Sequence, residues 1–174
     1  MQQVYIPHER IRKLKDNRDY ISAVERLCKC KIAFEGDDII EIEGDAFAEY
    51  SAKNIVYAFG RGFDLDIACK LADNDYYFSS LDLGQLISSD KRIKQLKARI
   101  IGIEGRTKKY IEEVSGVKMS IYGDTVSFIG TIKEINEAET AVNTLIDGGT
   151  HRLAYKRMEA AHRKNKLELK KASF

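Results

Sequence analysis

The sequence predicts an α+β protein made of two tandem copies of one strand–helix–helix–strand–strand–helix unit, followed by a basic helical tail. Three observations predict it. Apolar spacing switches between three-to-four and two along the chain, one half of the chain repeats the other, and a paired-glycine turn separates two helical segments of the second copy. In that copy, residues 81 to 87 read as a leading apolar strand. Ile93, Leu96, Ile100 and Ile101 give residues 90 to 100 helical spacing, with Lys91, Arg92, Lys94, Lys97 and Arg99 on the other faces. Tyr110, Ile111 and Val114 mark a second short helix that Gly116 closes, since a left-handed residue there costs glycine nothing. Val117, Met119 and Ile121 alternate with polar residues, Gly123-Asp124 turns the chain, and Val126 and Phe128 return it as a hairpin ending at Gly130. Ile132, Ile135, Ala138, Ala141, Val142 and Leu145 then form a longer amphipathic helix that stops at Gly148-Gly149.

The first copy aligns with the second residue by residue. A shift of 87 places residues 29 to 32 on 116 to 119 and Gly36-Asp37 on Gly123-Asp124. A shift of 86 then places Gly44 on Gly130, Ala52 on Ala138, Val56 on Val142, Phe59 on Leu145 and Gly62 on Gly148. The one-residue slip falls in a hairpin loop, where insertions are tolerated. Two copies of this length mean tandem domains rather than a solenoid: residues 1 to 80, residues 81 to 150, and a basic tail from 151 to 174. Under the shift of 87, Lys15 and Arg18 occupy the positions of Gly102 and Gly105, so the first copy lacks the glycine turn.

That turn lies in the run Arg99-Ile100-Ile101-Gly102-Ile103-Glu104-Gly105-Arg106-Thr107. Two glycines three positions apart remove both Cβ atoms where one helix hands over to the next, so another backbone can approach closely. The N–H groups opening the second helix face the same space, which suits a phosphate. A Gly-x-x-Gly loop in this order of elements is the plan of a type I KH domain, whose loop clamps four backbone nucleotides. The nucleic-acid site expected on this plan takes the RNA backbone at Gly102 to Gly105, phosphates near Arg99, Arg106 and Lys108, and bases over an apolar groove formed with Ile100, Ile101 and Met119, with Thr107 in the same RNA-binding set. Ile103 and Glu104 at the loop tip depart from the basic or small residues usual there. An acid so placed weakens phosphate approach unless it points away or caps the second helix.

A first repeat without glycines, a second carrying Arg-Ile-Ile-Gly-x-x-Gly-Arg-Thr, and a basic tail opening near His151 together resemble the Partner of Nob family, the two-KH small-subunit ribosome assembly factors of archaea and eukaryotes. The resemblance covers essentially the full length. It implies single-stranded RNA binding near the 3′ end of small-subunit ribosomal RNA and association with the Nob endonuclease that matures that end. In archaea it also implies contact with a subunit of translation initiation factor two.

Charge is distributed to match. The net is only +2, but residues 91 to 109 hold eight Lys or Arg against Glu104, and residues 151 to 174 hold eight against Glu159 and Glu168. Residues 35 to 90 hold 13 acids against Lys53, Arg61 and Lys70. A basic loop region and tail form an electrostatic footprint for RNA, and the acidic first domain repels it. Other chemistry is poorly supplied. His8, His151 and His162 lack partners at metal-ligand spacing, and Cys28-x-Cys30 lacks the second pair of a zinc site. Cys30 matches apolar Val117 and reads as core. Asp37-Asp38 and Asp73-x-Asp75 sit in turns that favour aspartate, so no metal, cofactor or catalytic role is expected. Tyr76-Tyr77-Phe78 reads as packed at the domain junction, and the tail is open between lying on RNA, docking and fraying. With no apolar run of membrane-spanning length and no signal-peptide pattern, a cytoplasmic location is expected. The reading is a non-enzymatic RNA-binding protein. Its alternatives are a protein-interaction adaptor that uses its folds as scaffolds, and a general KH binder in RNA processing.

Overall fold

The chain divides between Phe78 and Ser79, and the computed structural model describes residues 1–172. The first unit opens with strand β1 (Gln2–Tyr5), helices α1 (His8–Asp16) and α2 (Arg18–Cys28), and strands β2 (Lys31–Glu35) and β3 (Ile39–Glu43). Helix α3 (Ala46–Gly60), the short helix α4 (Leu65–Ala68) and a 3-10 turn at Cys69–Ala72 complete it. The sheet order is β1-β3-β2, with both pairs antiparallel. Register puts Val4, Ile40 and Phe34 side by side, so alternate residues face the helices and Glu41 faces outward. Ile40, Ile42 and Ile55 are fully buried, each contributing on the order of 2 kcal/mol. Asp45 starts α3 by accepting from the N–H groups of Phe47 and Ala48 at 3.0 and 2.9 Å.

The second unit repeats the order. Strand β4 (Tyr77–Asp82) leads into a short helix α5 (Leu83–Leu86), then α6 (Asp90–Ile101), α7 (Arg106–Ser115), β5 (Lys118–Tyr122), β6 (Thr125–Gly130), α8 (Ile132–Ile146) and α9 (His151–Ala172). Its sheet has the matching order β4-β6-β5. Thr131 and Glu134 form a reciprocal capping box at the start of α8. Gly116 ends α7 with φ of 87°, and Lys29, its counterpart, ends α2 in the same left-handed region at φ of 59°.

Two expectations change. The leading strand lies at β4, not at residues 81 to 87, because the Asp82 carboxylate accepts from the N–H groups of Gly84 and Gln85 and starts a helical turn there. Phe78 packs edge-on against Tyr57 and Phe63, whereas Tyr77 is exposed. The tail is helical, and its first half docks: Ala154 and Met158 are fully buried in the core that also holds Ile100, Ile111, Phe128 and Leu145. Cys30 is buried, as its match to Val117 implies.

Candidate nucleic-acid interface

Helix α6 presents Ile93, Leu96 and Ile100 to the core and leaves Lys91, Arg92 and Lys94 exposed. Lys97 ties it to the β5–β6 turn, donating to the Gly123 carbonyl at 2.7 Å and reaching Asp124 at 3.0 Å. The helix stops at Gly102, whose φ is 76°. Two constraints fix glycine there. The left-handed region disfavours side chains, and a Cβ would lie 2.3 Å from Thr107 Oγ1 and 2.7 Å from the Thr107 nitrogen. Gly105, at φ of 75°, answers to the backbone constraint alone, since nothing lies within 4 Å of where its Cβ would be.

Gly105 occupies the cap position of α7 and has no side chain to accept from the helix; the Arg106 N–H donates to the Ile103 carbonyl, and no Gly105 side chain caps the N–H groups that follow it. Ile103 is 80% exposed at the tip. Glu104, in a left-handed conformation at φ of 53°, pairs with Arg106 at 3.3 Å, which offsets the acid at the phosphate approach. Beside the loop lies a cleft of about 440 Å³ lined by Ala98, Gly102, Ile103, Arg106, Thr107 and His151 along with Arg99.

Several expected contacts are placed otherwise. Arg99 is half-buried and its guanidinium is engaged at the end of α8, donating to the carbonyls of Leu145 at 3.2 Å and Gly149 at 2.5 Å. It closes the C-terminal end of α8, whose last carbonyls need donors. Ile100 is fully buried and Met119 nearly so, because both fill the core; Ile101 and Ile103 carry the apolar surface near the loop. Thr107 is also buried, packed against Gly102. Lys108 is half-buried and bridges to Glu112 at 3.4 Å one turn along. Arg106 and the Gly102–Gly105 backbone stay at the surface.

Sequence reasoning missed the support that α9 gives this loop. The Tyr155 hydroxyl donates to Thr107 Oγ1 at 3.2 Å, and its ring lies 4.4 Å from that of Tyr110. Tyr110 in turn bonds the Glu159 carboxylate, which raises the phenol pKa above its ordinary value. His151 Nε2 donates to the Arg99 carbonyl at 2.9 Å, which fixes its tautomer. Farther along, His162 Nδ1 and Asn165 both hold the buried carboxylate of Glu137. The signal present in the sequence was the spacing of Ala154, Met158 and Ala161, a narrow docking stripe. Among the described residues, no cluster of three His, Cys, Asp or Glu is placed to hold a metal. No described helix is long and apolar enough to cross a membrane.

A family model described as a eukaryotic type KH domain, KH type I, the second such domain of Pno1, matches residues 77–163. A KH domain-containing protein of Methanocaldococcus jannaschii is 34% identical over 97% of this chain and 75% of its own length. The chain belongs to the Pno1 family of KH proteins. Within it, the pre-rRNA-processing protein Pno1 of Aspergillus fumigatus is 30% identical over 60% of this chain and 42% of its own length. The Dim2p chain in a crystal structure of an initiation factor 2α–Dim2p–rRNA complex from Pyrococcus horikoshii superposes with a TM-score of 0.85. It is 32% identical, and the match covers 94% of each chain. The Pno1 match on residues 77–163 spans the glycine turn, the sheet of the second unit and the docked half of α9.

Proposed function

We propose that this chain is a non-enzymatic, RNA-binding factor of small-subunit ribosome assembly that grips single-stranded rRNA near its 3′ end through the second unit. The observation that carries this reading is the open turn from Gly102 to Gly105, with the uncapped start of α7 beyond it and Arg106 at its edge. In this reading a phosphate accepts from the α7 N–H groups that follow Arg106, the Arg106 side chain exchanges Glu104 for phosphate oxygens, and Ile101 and Ile103 meet a base. The first unit is a degenerate KH repeat, since α1 meets α2 across the single residue Asn17 and leaves no room for a clamping loop. The Dim2p relative whose structure includes rRNA and initiation factor 2α supports both kinds of partner for this chain. Nob endonuclease is a further partner, and the cytoplasm the location.

Titration of labelled 3′-end rRNA against scrambled RNA at two salt concentrations tests it. Preferential binding of the 3′-end strand that persists at the higher salt is expected, and equal, salt-abolished binding of both contradicts it. An accompanying protein-docking role falls to the acidic first unit, where Phe47 and Tyr50 are each more than 60% exposed on α3.

A further inference from the structure

The docked half of α9 leaves the opposite side of the helix to solvent. Arg152, Lys156, Arg163, Lys166 and Lys170 are all exposed, and at 100° per residue they fall within a sector of about 80° turned away from Ala154 and Met158. From Arg152 to Lys170 the row runs about 27 Å. It begins beside the loop, because His151 lines the same cleft as Gly102, Ile103 and Arg106. Glu159 interrupts the row, but its carboxylate is taken by the Tyr110 hydroxyl and lies 3.9 Å from Arg163.

We infer that this face of α9 is a second RNA site, a track that holds the phosphate backbone of the same strand after it leaves the glycine turn. The inference rests on the loop reading above. A repeated anion is the complement of a row of cations set about one helical turn apart and broken once, at Glu159, and the row continues from the edge of the loop cleft. A lipid surface fits less well. The exposed leucines of the distal half, Leu167 and Leu169, lie about 160° apart around the helix and make no single apolar face.

The test uses the full chain and two single strands, one of about five nucleotides that spans the loop alone and one of about 16 that reaches along α9. Replacing three of the row's cations, Arg163→Gln, Lys166→Gln and Lys170→Gln, leaves the short strand bound as before and weakens the long strand on the order of tenfold. The log K versus log salt slope for the long strand becomes shallower by about two, the value for three released counterions on a single strand. The charge-conserving set Arg163→Lys, Lys166→Arg and Lys170→Arg keeps the affinity of the unmodified chain. Equal losses on both strands, or no loss on the long one, overturn the track. So does a glutamine variant that loses binding to phosphatidylserine vesicles while keeping the long strand. The loop reading fails separately: Ile103→Asp with Glu104→Asp leaving the short strand's affinity unchanged removes the clamp, and with it the continuous path.

Discussion

Arg10 and Arg99 do the same work in the two units. Arg10 donates to the carbonyls of Phe59 at 2.9 Å and Phe63 at 2.7 Å, and Arg99 donates to those of Leu145 and Gly149. Each arginine leaves its helix, α1 or α6, to close the C-terminal end of the helix after the hairpin, α3 or α8, and the accepting carbonyls correspond at a shift of 86. The arginines themselves are 89 apart. The first unit therefore spends one more residue between this arginine and α2 than the second does before α7, and one more within α2, running α1 on through Leu14 to Asp16 where the second unit breaks at Gly102. Lys15 and Arg18 thus do not simply replace the two glycines; the loop has been absorbed into helix.

This pairing predicts that Arg99 acts on stability. Arg99→Ala should cost about 2 kcal/mol by orphaning two carbonyls, and Arg10→Ala about 3 kcal/mol because Arg10 is buried and also lies 4.0 Å over the Phe59 ring. Urea midpoints read both. An Arg99→Ala variant with unchanged midpoint and lost RNA affinity would place that side chain on the RNA instead.

The two glycines should differ. Gly102→Ala meets both backbone strain and Thr107, and should lower stability by about 2 kcal/mol or more; Gly105→Asn should cost less than about 1 kcal/mol, since asparagine tolerates the left-handed region and the space is open. Thermal unfolding of the pair checks the order, and equal losses would mean that the Thr107 contact is not what requires glycine at 102.

The Tyr155 hydroxyl of α9 should tune the loop more than it holds the fold. Tyr155→Phe removes the hydrogen bond to Thr107 but keeps the ring against Tyr110, so the expected stability loss is about 1 kcal/mol. Hydrogen exchange at residues 102 to 108 should quicken and RNA affinity fall a few-fold. Unchanged exchange in that stretch would show that α9 does not position the turn.

Where neighbouring residues decide the structure, the sequence was readable. The 87 and 86 shifts reproduce β2 against β5 and α3 against α8 end for end, and even one half-buried hydrogen bond repeats, with Glu25 accepting from the Ile32 N–H as Glu112 accepts from that of Met119. What stayed hidden depends on contacts across long separations. Arginine in a basic helix looks like a phosphate ligand until the end of α8 is placed beside it. Ile100 and Met119 have the spacing of a core or of a groove, and burial alone separates the two. Residues 81 to 87 carry an apolar run that either a strand or a capped turn satisfies, and the Asp82 side chain decides between them.

The loop tip offers the most direct measurement. Ile103 and Glu104 touch little besides Arg106, and Asp at both positions adds negative charge where a phosphate must approach while leaving the exposed turn folded. Equilibrium titration of the Ile103→Asp, Glu104→Asp protein with labelled single-stranded 3′-end rRNA should show affinity reduced about tenfold or more. A folded double variant that binds this strand as tightly as the unmodified protein would contradict the clamp and remove the glycine turn from the account of how this chain holds RNA.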